Sequence, residues 1–166
     1  SGNTTYQDDA LRSYGKAVEK DPTFFSSWVG MGRLYVLRKE DAKATDPLAK
    51  AWALKQTAEV ARLQGIAVKN LNAQPDVAAK WLKEALDREP SAEAAYHLGL
   101  LYIDARLNNP RAAVSSLQTA TDLALKEEKS SGKPAPAWLT DALYTLGDLH
   151  RTQGNLKSAK AIWQTW

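Results

Sequence analysis

The sequence predicts an all-α fold, a solenoid of antiparallel helix pairs, from three series that share one beat. Triplets recur as Ala10, Tyr14 and Ala17, then Ala44, Leu48 and Ala51, then Ala78, Leu82 and Ala85, then Ala113, Leu117 and Ala120, in steps of 34, 34 and 35 residues. Gly32, Gly65 and Gly99 follow at separations of 33 and 34, and Pro22 and Pro90 stand 68 apart, two full periods. Within each triplet the i, i+4, i+7 spacing places all three residues on one helical face. A period of about 34 residues is the length of one helix–turn–helix unit, which cannot bury its apolar face alone and must stack on neighbours.

Taken in order, residues 1–6 read as a polar lead-in and 7–22 as a half unit, a second-type helix stopped by Asp21-Pro22. The first full unit, about 24–56, has a first helix at about 24–38, where small Gly32 permits close packing and Tyr35 plugs the interior. Its second helix is expected to open late, because Asp46-Pro47 is a good cap and first-turn pair, which makes Lys39–Thr45 a charged linker. From Leu48 to Leu71 there is no proline and one glycine, so periodicity alone allows a single helix of about 25 residues. Phase instead places a turn near Gln56-Thr57, with Thr57 capping a helix that turns Val60, Leu63 and Ala67 inward. The second unit, about 57–90, ends with a helix at about 76–88, stopped by Glu89-Pro90. The third runs from 92 to about 127, with its turn at Asn108-Asn109-Pro110. A polar loop over 127–136, holding Pro134 and Pro136, separates it from the last unit at 137–166, whose turn is Gly154-Asn155.

The same residues resemble a named pattern. Trp28-Val-Gly-Met31-Gly32-Arg-Leu-Tyr35 and Ala10-x3-Tyr14-x2-Ala17 followed by Pro22 are similar to the tetratricopeptide (TPR) repeat. Ala92 to Tyr102 is close to that family's first helix, and Leu143-x2-Leu146-Gly147-x2-His150 with Ala159-x3-Trp163 is a further copy. The resemblance covers roughly residues 7–166. It implies a single right-handed superhelical solenoid that acts as a non-catalytic scaffold for a peptide or protein segment.

Composition limits the alternatives. Hydrophobic content of 44% and charged content of 25% are ordinary for a globular chain, and abundant alanine favours helix. No apolar stretch approaches the roughly 20 residues of a membrane span, and no basic-then-apolar leader opens the chain. A start at Ser1 rather than Met suggests a processed or cut product. Zero cysteines exclude disulfides and thiolate metal sites, and suit a cytoplasmic or a bacterial periplasmic or cell-envelope address equally. A net charge of +3 lacks the dense basic face of a nucleic-acid binder.

No catalytic, cofactor or metal constellation is present in the sequence. His150 takes the place of a bulky interior aromatic, so it reads as a packed side chain. Gly30-Met-Gly32 lacks the third glycine of a dinucleotide loop, and Ser131-Gly132-Lys133 lacks the first glycine of a P-loop. Asn3-Thr4-Thr5 is a formal glycosylation sequon of the kind that occurs by chance.

Function therefore falls to the surface. In the TPR family the first helices line the concave side, and the resemblance places Val29, Arg33 and Val36 there from the first unit. Arg62, Ile66, Lys69 and Asn70 follow from the second, Tyr96, His97, Leu100 and Ile103 from the third, and Tyr144, Asp148 and Arg151 from the fourth. Arginines and tyrosines are frequent interface anchors. The carboxylate grip of chaperone-binding relatives is not matched, since Val29 and Arg33 replace its lysine–asparagine pair and Leu63 replaces a further asparagine. The alternative reading is an assembly or oligomerisation module of a larger protein, working through its ends or convex face. Trp166 stands where the repeat puts a small residue, and marks the carboxyl end as a possible self-association surface.

Overall fold

A computed structural model describes residues 2–164, and Trp166 lies outside them. Among the described residues every regular element is a helix. The chain divides into two compact units, Ser1–Arg88 and Glu89–Trp166.

The first unit holds α1 (Gly2–Lys20), α2 (Phe25–Leu37), α3 (Asp41–Leu54), α4 (Ala58–Asn70) and α5 (Pro75–Arg88). The expected lead-in is part of α1, with Thr5 and Tyr6 exposed on it. Helix α1 ends where the Asp21 carboxylate accepts from the Thr23 backbone N–H at 2.9 Å and the Thr23 hydroxyl at 2.6 Å, an Asx turn that competes with further helix. The Trp28 indole then donates to the Pro22 carbonyl at 2.8 Å and ties the turn to α2.

Helix α3 corrects the sequence reading. It opens at Asp41 and carries Pro47 in its interior, so Lys39–Thr45 is not a linker. Ala44, Pro47, Leu48 and Ala51 are all buried, at i, i+3, i+4 and i+7, and the proline ring occupies a place in that apolar stripe. Burial there offsets the lost hydrogen bond and steric penalty of an interior proline, about 3 kcal/mol. The break between α3 and α4 falls where phase put it. Thr57 caps α4, its hydroxyl accepting from the Val60 N–H at 3.3 Å. The core gathers Val29, Leu48, Val60, Leu63 and Ala67, flanked by Trp28, Tyr35 and Trp52.

The second unit holds α6 (Ala92–Ile103), α7 (Pro110–Ser131), α8 (Leu139–Thr152) and α9 (Leu156–Trp163). Ser91 and Asn109 cap α6 and α7, accepting from Ala94 N–H at 3.2 Å and Ala112 N–H at 3.1 Å. Helix α7 outruns the expected loop start at 127, because Glu127–Ser131 are compatible with helix and only Gly132, at φ 66°, ends it. Leu117, Ala142 and Leu146 form the centre of this unit, with Tyr96, Trp138 and Ile162 packed around them.

One contact repeats through the chain. A Cβ on Gly32 would lie 2.5 Å from Leu48 Cγ, one on Gly65 2.7 Å from Leu82 Cγ, and one on Gly99 2.7 Å from Leu117 Cγ. Gly147 meets the Trp163 indole in the same way. Each first helix thus yields a glycine to the middle side chain of its own second helix.

Candidate partner-binding site

In the first unit the neighbouring first helices α2 and α4 are joined through Arg33, whose Nε donates to Glu59 Oε1 at 3.0 Å while Nη2 reaches the same oxygen. Both side chains stay substantially exposed, so the pair is a surface feature. Arg62 stands three residues beyond Glu59 and so on the same side of α4. Two turns further, Lys69 Nζ lies 3.4 Å from Asn70 Oδ1, and Asn70 Nδ2 donates to Asp41 Oδ1 at 3.1 Å. Asp41 is buried at the start of α3. Burial lowers the Lys69 pKa, and the Asp41 carboxylate partly restores it. Asn70 is therefore a strut between α3 and α4 as well as a surface group.

Two expected groove residues are internal. Val29 is 4% exposed and Ile66 5% exposed, so both side chains face the core and not a surface. Val36 is partly buried against the same core as Val29. Glu59 and Asp41 were not foreseen. Glu59 is three residues from Arg62, which a helical wheel reveals, but its pairing with Arg33 across 26 residues needs the tertiary packing.

In the second unit, Tyr96 stacks on Trp138 with centroids 4.6 Å apart and planes 12° from parallel. Burial, helped by the Asp141 charge, raises the Tyr96 pKa. His97 lies beside that stack, its ring 5.4 Å from Tyr96. Leu100 is half-buried, whereas Ile103 and Tyr144 are exposed. Asp148 and Arg151 pair with each other at 2.6 Å. His150 is half-buried, and its buried Nδ1 has no hydrogen-bond partner among the described residues. Trp163 takes the repeat's central place on α9, as Leu117 does on α7. Its indole rests on Gly147 and it remains 39% exposed, while Ile162 supplies the inward contact.

Two tryptophans of the first unit, Trp28 and Trp52, each lie beneath a cation. Lys50 Nζ sits 4.6 Å over the Trp28 ring and 2.8 Å from Asp46 Oδ2. Arg88 lies 5.0 Å over Trp52, 2.7 Å from Glu84, and donates to the Gln56 carbonyl at 3.0 Å, which fastens the α3–α4 turn to α5. Trp81 meets Trp52 edge-on at 4.9 Å.

Neither a family model nor a curated protein matches the chain. Solved structures do. MamA superposes with a TM-score of 0.78 at 20% identity, over 98% of this chain and 87% of that one. YrrB, described as a TPR protein with an unusual peptide-binding site, gives 0.70 at 21% identity over 97% of this chain and 76% of its own. PilF of Pseudomonas aeruginosa gives 0.70 at 16% identity over 99% and 76%. At such identities the likeness establishes the fold, which is that of the tetratricopeptide repeat.

Proposed function

We propose that this tetratricopeptide-repeat chain is a non-catalytic interaction scaffold that holds a peptide or protein segment against its first helices. The observation that carries this is the exposed Arg33–Glu59 pair bridging α2 and α4, with Arg62 on the same side and the half-buried Lys69 further along. A partner carboxylate would compete with Glu59 for the Arg33 guanidinium, whose planar fork suits paired oxygens. The second unit, taken by itself, offers Tyr96, His97, Leu100 and Tyr144 as contact residues of its own first helices. Tyr144 is the most open of them. The peptide-binding site ascribed to YrrB agrees with this reading. The surface fits an extended or helical segment laid across preformed helices.

The test is affinity capture with the native chain and with the Arg33→Ala/Arg62→Ala variant at matched stability. A partner held by the first and lost by the second supports the reading. Equal retention by both refutes it.

A further inference from the structure

Lys69 is the one lysine among the described residues that is not exposed. It stands in the last turn of α4, and no carboxylate among the described residues lies within pairing distance of it. Its Nζ reaches the neutral Asn70 Oδ1 at 3.4 Å, beyond the usual length of a hydrogen bond. The Asp41 carboxylate acts on it from further off and is already served. It accepts from Asn70 Nδ2 at 3.1 Å and lies in the first turn of α3, where the helix dipole favours a negative charge. Burial therefore lowers the Lys69 pKa, and the Asp41 charge opposes that only in part. An ion that folding has partly stripped of water gains more from a counter-ion than an exposed one does. Its loss of hydration is already met, and the pair it forms is less screened.

We propose that Lys69 is the anchor for an acidic side chain of the partner segment, a glutamate or aspartate that seats beside the half-buried ammonium. This rests on the reading that a segment lies against the first helices, and adds that the segment is acidic. Two features favour a peptide over a small anion. Arg62 lies seven residues before Lys69, so it shares that face of α4 and puts a second cation about 10 Å along the helix. Its five N–H donors can take a carboxylate beside any contact it already makes. Leu37, four residues after Arg33 on the same side of α2, is 65% exposed, an apolar surface that an inorganic anion would leave uncovered.

The probe is a capped alanine–leucine peptide with two glutamates, alongside the same peptide with glutamines, which keeps the shape and removes the charge. The readout is the Lys69 side-chain methylene resonance in carbon-labelled protein, assigned with Lys69→Gln. The glutamate peptide is expected to shift it saturably and to raise the titration midpoint of Lys69. The glutamine peptide should bind about tenfold more weakly, and Lys69→Gln should weaken the glutamate peptide by a similar factor. Lys69→Arg, which keeps the charge, should bind more tightly than Lys69→Gln. Because burial disfavours the charged form, Lys69→Gln should hold the native thermal midpoint or raise it. A lowered midpoint would make Lys69 a structural counter-ion of Asp41 and overturn the proposal. So would equal binding of both peptides, or no saturable shift. Inorganic phosphate shifting the resonance as strongly as the glutamate peptide would reassign Lys69 to a small anion and overturn the partner assignment. A captured partner lost by Arg33→Ala/Arg62→Ala but kept by Lys69→Gln would leave the scaffold reading standing and overturn this inference alone, whereas a partner kept by both variants would overturn both.

Discussion

Gly99 and Leu117 show how little room the repeat leaves at its central contact. The Leu117 backbone nitrogen lies 3.3 Å from a Gly99 Cβ position, so the second helix itself, and not only a movable side chain, stands in the way. Gly99→Leu is expected to destabilise the chain by about 1–3 kcal/mol through overpacking. An unchanged midpoint in urea would show that the pair can separate freely. Asp104 offers a second test. The Arg106 guanidinium, at 2.6 Å, and the Arg106 N–H, at 2.9 Å, hold its pKa down to about 2 from an ordinary 3.8. A carboxyl lowered in the folded state favours folding above pH 4, and that contribution fades as the pH falls toward 2. Carbon-detected titration of Asp104 should give a midpoint near 2, and Arg106→Ala should return it toward 3.8.

The helices are joined by turns that reuse one device. Lys39, Asn72 and Asn108 have φ of 57°, 55° and 41°, and Gly154 has 78°, each between a first helix and its second. After α2 the Lys39 N–H bonds to Val36 O at 3.0 Å and Glu40 N–H to Tyr35 O at 2.8 Å, a Schellman closure. The same pair follows α8, from Gly154 to Arg151 and Asn155 to His150. Asparagine and glycine tolerate the left-handed region, but lysine is strained there. Lys39→Gly is therefore expected to stabilise by up to about 1 kcal/mol, visible as a raised thermal midpoint. A lowered midpoint would mean that the lysine side chain contributes more than its backbone strain costs. At the neighbouring turn, Thr57→Ala should cost about 1 kcal/mol and fray the first turn of α4, measured by amide exchange at Val60. Protection there unchanged from the native chain would show that Arg88, through Gln56, holds the turn without the cap.

Over the chain as a whole, charge separates stability from binding. Arg33 is exposed and Arg62 half-buried, and changes at surface positions usually alter stability by less than about 0.5 kcal/mol. Arg33→Ala/Arg62→Ala should therefore keep the native denaturation midpoint while losing its partner. A large fall in the midpoint would show instead that the Arg33–Glu59 link is structural. No helix among the described residues is long and apolar enough to cross a membrane.

The helices, their pairing and most turns could be read directly because each repeat writes them locally: an alanine triplet, a small residue, a proline or asparagine stop. Turn positions at Gln56-Thr57, Asn108-Asn109 and Gly154-Asn155 follow from that local chemistry. Pro47 was misread for the same reason. Its local preference is to begin a helix, and only the packing of Ala44, Leu48 and Ala51 into one core makes it an interior residue. Surface assignments depended still more on packing. Whether Val29 or Ile66 meets solvent is a matter of a few tens of degrees of helix rotation, which no spacing rule resolves. The Arg33–Glu59 pair, the Lys69–Asp41 balance and the Tyr96–Trp138 stack join residues distant in sequence or on different helices. Those meetings arise from how helices dock side by side, where the core's volume rather than any local pattern sets which charges and rings face each other.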